Sequence, residues 1–484
     1  MKLPEWAVRE EIYNPGSDRD YFISRSLLKI VSILTALRGQ GLQPARPIGA
    51  APALLAALVL IALIVMARTT AFLWAVLAGE LVLLCFQPGR PLRRALGAAL
   101  AGSLFCAVLV APSFFLGNGR YAFLLPCKTF LTVTALMLLQ ENLAWHELTG
   151  ALRTFRVPSL VIFILETTLR YIVILGQEAS DLLTALKLRS VGHNPDKKAA
   201  MSGVSGILLQ KSQRLSQDLY EAMCCRCFTG DYRPYGRPEA PFLSRHGAAR
   251  PGPAGLCLSL HPPGRSPLMI QLDDVCFAYD DRPILSHLTE TIEPGQAVLL
   301  SGPNGSGKST LLRLLNGLIF SQQGTYTFDG TVITAGKMRD HAYSKWFHQR
   351  LGYVWQNPDS QLFCSSVREE LAFGPVQMGL KPEEIHQRVD DALELLGLTR
   401  LASRPPYTLS GGEKKRTAIA SILTMNPQVW TMDEPESYLD ADGLAWLSDF
   451  LPSLKAAGKT LIIATHHADR LAALVDKEII VGDA

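Results

Sequence analysis

The sequence predicts two folds in one chain: an all-α membrane domain of about four transmembrane helices followed by further amphipathic helices, fused to an α/β domain built around a phosphate-binding P-loop. Three observations carry this. Four apolar runs lie close together between Gly49 and Gln140, and each is long enough to cross a bilayer. From about Leu268 onward, short apolar strands alternate with helical segments, the pattern of a largely parallel sheet. At the first such turn stands Gly302-Pro-Asn304-Gly305-Ser306-Gly307-Lys308-Ser309-Thr310, between a strand and a helix.

Composition is compatible with this division. With 484 residues, 48% hydrophobic and 19% charged, the chain is not a disordered polymer, and it has room for two to four domains. The net charge of +4, from 47 Lys and Arg against 43 Asp and Glu, is too near balance to indicate a nucleic-acid partner. Nine cysteines, odd in number and without framework spacing, point to a reducing compartment. Residues 1–20 are polar and carry acids, so no cleavable export signal is expected there.

Residues 1–48 form an N-terminal segment in which Ser26 to Leu37, short and interrupted by Lys29, reads as an interfacial helix. The transmembrane helices occupy 49–140. Gly49 to Ala67 has 19 residues without a charge, and Thr70 to Phe86, Ala95 to Phe115 and Tyr121 to Gln140 come next. Arg90, Arg93 and Arg94 fill the break between the second and third runs, whereas Arg120 alone marks the next break. The positive-inside rule therefore places the arginine-rich break, both ends of the domain and everything after Gln140 in the cytoplasm. Residues 141–230 read as amphipathic helices under the inner leaflet, because charges recur through Lys187 and Arg189, with another pair of crossings as the alternative for the apolar run Pro158 to Leu175, which contains Glu166 and Arg170. Residues 231–267, with eight Pro, five Gly and five Arg, read as an extended linker. The second domain then runs over 268–484.

The chemistry concentrates in that second domain. The glycines of the 302–310 loop let the main chain curl until successive N–H groups and the following helix N-terminus face a phosphate chain. Lys308 then reaches the β and γ oxygens, and the Ser309 hydroxyl suits Mg²⁺. Downstream, the apolar strand Val429 to Met432 ends in Asp433, suited to the same metal ion, and Glu434, suited to polarise an attacking water. Two acids at a strand end would by themselves be ordinary surface residues. Other residues in the same domain change that reading. Leu409-Ser410-Gly411-Gly412-Glu413 resembles the signature motif of ATP-binding-cassette (ABC) ATPases, Gln356 in YVWQNPDSQLF resembles their Q-loop, Ser437 to Asp440 their D-loop, and His466 in ATHH their switch histidine. All stand in family order, over Leu268 to Ala484.

The resemblance implies ATP and Mg²⁺ as cofactors, with Gln356 touching both metal and attacking water and His466 contacting the γ-phosphate. It also implies that Tyr279 stacks on adenine, and that Ser410, Gly411 and Gly412 grip ATP bound to an opposite domain. A second ABC ATPase domain is therefore an implied partner, more readily a separate chain than a second copy of this one. The sequence departs from the usual D-loop in Glu436 and Tyr438, and His467 stands where many relatives carry Asp.

The membrane half, over Gly49 to Tyr232, resembles the transmembrane component of energy-coupling-factor (ECF) importers. Two arginine-centred motifs in that family dock on paired ATPases, and Arg189 in Leu188-Arg-Ser190 and Arg226 in Cys225-Arg-Cys227 match their centres. A guanidinium at a helix end is a planar, permanently charged fork that can bridge to carboxylates or carbonyls. This likeness makes 141–230 the coupling helices. It implies a multi-pass cell-membrane protein with its ATPase on the cytoplasmic side, working with a small substrate-binding membrane protein that captures a vitamin or a transition-metal ion. An ABC exporter half-transporter, or a membrane-anchored ABC ATPase doing mechanical or regulatory work, are the alternatives. Cys224, Cys225 and Cys227 point in different directions around one helical turn and read as reduced structural thiols rather than metal ligands.

Overall fold

The structure is a computed structural model that describes residues 49–85, 89–115, 119–143, 145–155, 157–189, 197–230, 232, 235, 269–279, 282–471 and 473–482. The expected interfacial helix at 26–37, and the linker apart from Tyr232 and Tyr235, lie outside the described residues. The chain divides into two compact units, Met1–Asp196 and Lys197–Ala484.

The first unit is helical: α1 (Ala50–Met66), α2 (Thr70–Cys85), α3 (Gly89–Phe115), α4 (Gly119–Asn142), α5 (Trp145–Thr154) and α6 (Ser159–Arg189). Ile64, Leu73 and Leu131 form one small buried cluster joining α1, α2 and α4, and Leu84, Ala95 and Leu138 form another joining α2, α3 and α4. Two polar contacts add registry. The Ser103 hydroxyl of α3 donates to the Pro126 carbonyl of α4 (3.1 Å), and Lys128 of α4 donates to the Val65 carbonyl at the end of α1 (2.7 Å). Leu104, Phe105, Val108 and Leu109 of α3 are about two-thirds exposed, with values of 68%, 67%, 66% and 64%. A surface this apolar is a lipid surface, and the unit is a membrane domain.

Among the described residues three helical stretches are long and apolar enough to span: Leu92–Ser113, Ala122–Gln140 and Leu160–Leu186. The first two predicted crossings are shorter helices of 17 and 16 residues. The third spanning stretch favours the alternative for 158–175, a crossing. Instead of amphipathic helices under the leaflet, the segment belongs to the single 31-residue helix α6. Arg170 and Thr167 are buried on it, while Leu160, Val161, Ile164 and Ile172 are exposed. The charge faces protein and the apolar face looks outward, the reverse of an amphipathic helix on a soluble domain. Charge spacing alone cannot distinguish these two arrangements.

The second unit begins with α7 (Lys197–Cys224), well before the linker where the sequence suggested the boundary. The remaining elements build a two-sheet domain. β1 (Ile270–Tyr279), β2 (Arg282–Ile292), β4 (Gln323–Phe328) and β5 (Thr331–Val332) form an antiparallel sheet in the order β2-β1-β4-β5. This sheet departs from the simple βα alternation expected, and the alternating burial of β1 is its signature. β3 (Ala297–Ser301), β6 (Leu351–Val354), β7 (Val429–Asp433), β8 (Thr460–Ala464) and β9 (Lys477–Ile480) form the parallel sheet, in the order β6-β7-β8-β3-β9. Every residue of β6, β7 and β8 is buried, as parallel strands covered on both faces require.

The helices of this unit are α8 (Lys308–Leu315), α9 (Ala335–Met338), α10 (His341–His348), α11 (Pro358–Gln361), α12 (Val367–Met378), α13 (Pro382–Leu395), α14 (Gly411–Leu423), α15 (Ala441–Ala456) and α16 (Ala468–Leu471). Trp430 of β7, fully buried, sits in a core that gathers Leu371 of α12, Val389 of α13, Ile419 of α14 and Leu451 of α15. Register sets the functional edge: Val354 pairs with Met432, Asp433 with Ala464, and Leu300 with Ala464. The carboxyl ends of four neighbouring strands are thereby level, and the loops that leave them meet along one line.

Candidate active site and coupling surface

β3 delivers the phosphate loop. Gly302 (φ 139), Gly305 (φ 83) and Gly307 (φ 104) all occupy backbone regions that side chains disfavour. At Gly302 a Cβ would collide with the Val481 carbonyl oxygen, and at Gly307 it would lie 2.8 Å from Ile284 Cγ2. Asn304 is exposed at the loop tip, Ser306 packs beneath it, and Thr310 follows in the first turn of α8. Lys308 opens α8 and turns its ammonium back to donate to the Gly302 and Pro303 carbonyls (2.7 and 3.0 Å). The cradle, the curled glycines and the helix N-terminus together fit a triphosphate.

β7 delivers Asp433 and Glu434. Burial lifts the Asp433 carboxyl above the ordinary aspartate range, the Ser309 hydroxyl hydrogen bond pulls it back down, and neighbouring Glu434 raises it again. A serine hydroxyl bonded to a carboxylate is a hard-oxygen pair whose chemistry suits Mg²⁺. Glu434 has a left-handed backbone (φ 43), and its N–H donates to the Ala464 carbonyl at the end of β8 (2.8 Å). Its carboxylate is a convergence point. Gln356, following β6, donates to Oε2 (2.8 Å), as does the Ser437 hydroxyl (2.9 Å), while His466 Nε2, following β8, lies 2.8 Å from Oε1. The three residues expected to be catalytic, Gln356, Glu434 and His466, are thus brought together by strand order.

Ser410 caps α14 in a reciprocal box. The Glu413 N–H donates to the Ser410 hydroxyl (3.4 Å), and the Ser410 N–H donates to the Glu413 carboxylate (2.8 Å). Gly411 and Gly412 lie against the D-loop, where Tyr438 holds a positive φ of 71° and is 57% exposed. Glu436 accepts from the Thr465 hydroxyl, which in turn accepts from the His467 N–H (2.9 Å), so the D-loop is tied to the switch loop. Tyr279, at the end of β1, stands edge-on to Phe277 (4.9 Å) and is 43% exposed.

One residue missed by the sequence reading underlies all this. Lys415 of α14 is fully buried and donates to the carbonyls of Trp355 (2.9 Å), Gln356 (3.1 Å) and Asp433 (3.4 Å). Burial pulls its ammonium down to about 8, opposed by Asp433, Glu436 and Glu434. Its position within LSGGEKK was the available signal.

The two arginines expected to couple fall in different units. Arg189 closes α6 in the first. Arg226 lies just beyond α7 in the second, with no solvent exposure. Its Nη1 pairs with Glu370 of α12, its Nη2 donates to the Gln361 carbonyl (2.9 Å), and its guanidinium lies 5.0 Å from the centre of the Phe363 ring. Glu370 Oε2 also accepts from the N–H groups of Phe363 (2.8 Å) and Cys364 (2.6 Å). Nothing in the sequence marked Glu370 or Gln361, which are more than a hundred residues away. Cys225 and Cys227 are buried, and burial pushes their thiols up, Cys227 to about 12, so both are neutral and unreactive.

Comparison with known proteins agrees with both halves. The family model described as "ABC transporter" matches residues 285–437, and the one described as "Cobalt transport protein" matches 27–235. A putative ABC transporter ATP-binding protein from Clostridium acetobutylicum is 46% identical over 215 residues, 44% of this chain and 89% of its own length. A nickel import ATP-binding protein from Lactiplantibacillus plantarum is 46% identical over 212 residues, 44% of this chain and 88% of its own. An energy-coupling factor transporter ATP-binding protein from Methanospirillum hungatei is 41% identical over 214 residues, 44% of this chain and 53% of its own. The chain is therefore an ATP hydrolase that belongs to the ABC transporter ATP-binding proteins, fused to a membrane component of the cobalt-transport type in the manner of an energy-coupling-factor transporter.

Proposed function

We propose that this protein is the energising unit of an ECF-type importer, with nickel or cobalt ions as its cargo. The relatives that carry nickel import in their names and the cobalt-transport family match support the cargo. A second ATPase, as a separate chain, completes the nucleotide sites, and a small membrane protein captures the ion. The membrane is the cell membrane and the cassette lies in the cytoplasm, on the side of Arg93 and Arg94, exposed at the start of α3.

In this reading Lys308 and the 302–310 loop hold the triphosphate, and Tyr279 takes the adenine. Ser309, Asp433 and Gln356 would hold Mg²⁺, which would supply positive charge to offset that of the triphosphate. Glu434 accepts a proton from water as the water oxygen bonds to the γ-phosphorus. The bridging oxygen leaves with ADP, giving ADP and phosphate from ATP and water. His466 donates to the γ-phosphoryl group and orients Glu434. Ser410, Gly411 and Gly412 close on nucleotide held by the partner cassette, since one cassette does not complete its own site.

The observation that carries the coupling role is the buried Arg226. It belongs in sequence to the membrane family match, yet it is wholly enclosed by the cassette through Glu370 and Gln361. In cells carrying the whole transporter, uptake of radioactive nickel and cobalt ions should cease with Glu434→Gln and with Arg189 and Arg226 both changed to Ala. Uptake that survives either change refutes the assignment.

A further inference from the structure

A second ionic contact joins α7 to the nucleotide-binding elements, and none of the expected motifs includes it. Arg313 stands in the last turn of α8, the helix that Lys308 opens. Five residues of helix separate the two, about 7.5 Å of rigid rod. Arg313 Nη2 donates to Asp218 Oδ1 of α7 (3.2 Å) and lies 3.9 Å from Glu221 Oε2 on the same face of that helix. Gln217 donates to the other Glu221 oxygen (3.0 Å) and fixes its orientation.

The same carboxylate of Asp218 also touches the Q-loop. Its Oδ2 accepts from the Ser360 hydroxyl (3.1 Å) on α11, four residues beyond Gln356. The Arg313 guanidinium lies 5.5 Å from the centre of the ring of Trp355, the residue before Gln356. One acidic face of α7 thus meets both the phosphate-binding helix and the Q-loop. The Arg313 and Asp218 side chains are 31% and 23% exposed, and pairs in that range add little to stability. What such a pair supplies is registry between elements.

We propose that Arg313 is a positioning residue that ties the phosphate-binding helix to α7 through Asp218. Movement of α8 on nucleotide binding is then delivered to the coupling helix by a route separate from Arg226. The inference rests on the importer reading, in which nucleotide closure is passed through α7.

The test uses the complete transporter in lipid nanodiscs, with Glu434→Gln to hold ATP unhydrolysed. Amide hydrogen exchange of 211–224 in α7 is measured with and without ATP. ATP should change that exchange by about fivefold, the equivalent of a contact near 1 kcal/mol. Arg313→Gln should bind ATP within about twofold of the parent affinity while the ATP-dependent change in α7 disappears. The exchanged pair, Asp218→Arg with Arg313→Asp, should bring it back. A full-sized change in Arg313→Gln overturns the link and leaves the importer reading standing. Loss in the single variant without recovery in the exchanged pair overturns the role of Asp218 as its partner. No ATP-dependent change even with Arg313 and Asp218 intact defeats both the link and the importer reading.

Discussion

Replacing Arg226 by Met removes the charge from the most enclosed contact between α7 and the cassette while keeping a long apolar side chain. The Glu370 carboxylate, also without exposure, keeps two backbone N–H donors on Oε2 but loses the guanidinium on Oε1, and the Gln361 carbonyl loses its donor. Breaking a buried pair from one side costs about 3–5 kcal/mol, and the two remaining N–H bonds place this case near 3. Removing both charges together, Arg226→Met with Glu370→Gln, leaves no uncompensated ion and should cost about 1 kcal/mol or less. In a unit of this size, about 3 kcal/mol lowers the melting temperature by roughly 6 °C. Heat denaturation of the full-length protein, followed through loss of ATP binding, should therefore show a drop of about 6 °C for the single variant and recovery to within about 2 °C for the double. Both should hydrolyse ATP without uptake, because the double variant restores packing but not the directional fork. A single variant that melts within about 2 °C of the parent, or a double as unstable as the single, refutes the claim that Arg226 is held as a compensated buried charge.

The same geometry sets further expectations. Glu434→Gln should lower the rate of ATP hydrolysis by about a hundred- to ten-thousand-fold with nucleotide affinity unchanged, measured by phosphate release and by binding of a fluorescent ATP analogue. Gly302→Ala should weaken ATP binding by about tenfold or more, because φ of 139° is strained for alanine and its methyl group would meet the Val481 carbonyl oxygen; equal affinity would show that the loop relaxes freely. His348 is enclosed on α10, and burial pulls its imidazole down to about 3. The unfolded chain therefore binds the extra proton below about 6.5, and stability is complete above that pH and declines on acidification at roughly 1.4 kcal/mol per unit. Urea unfolding at pH 7 and pH 5 should lose about 2 kcal/mol from this group, and His348→Leu should remove that part of the loss.

Part of the cassette's chemistry was legible because Lys308, Glu434 and His466 lie in or just past loops that leave buried strands, so strand and turn residues announce them together. Lys308, Glu434 and His466 come after β3, β7 and β8, and parallel pairing alone brings their loops to one edge. The antiparallel sheet was less legible, since the alternation in β1 looks locally like any half-buried strand. Partners far apart in sequence were invisible. Glu370, Gln361 and Asp218 are ordinary polar residues on helices until folding places them against Arg226 and Arg313. The membrane half left two readings open for a physical reason: Arg170 within an apolar run suggested a wet face, whereas on α6 it is buried while Leu160, Val161, Ile164 and Ile172 are exposed.

Joining the two halves in one polypeptide has a consequence for the proposed assembly. Arg226 is committed to the cassette of its own chain, where Glu370, Gln361 and Phe363 enclose it completely. In the proposed assembly a dimer of cassettes needs a second docking contact, which that proposal assigns to Arg189, at the end of α6 in the membrane unit. The two contacts differ in thermodynamic character. Docking of Arg226 is intramolecular and independent of concentration, whereas docking of a separate ATPase on Arg189 obeys mass action. Limiting the supply of the second ATPase should therefore leave α7 seated on its own cassette while hydrolysis stops, because the signature motif at Ser410 then has no opposing nucleotide to close upon.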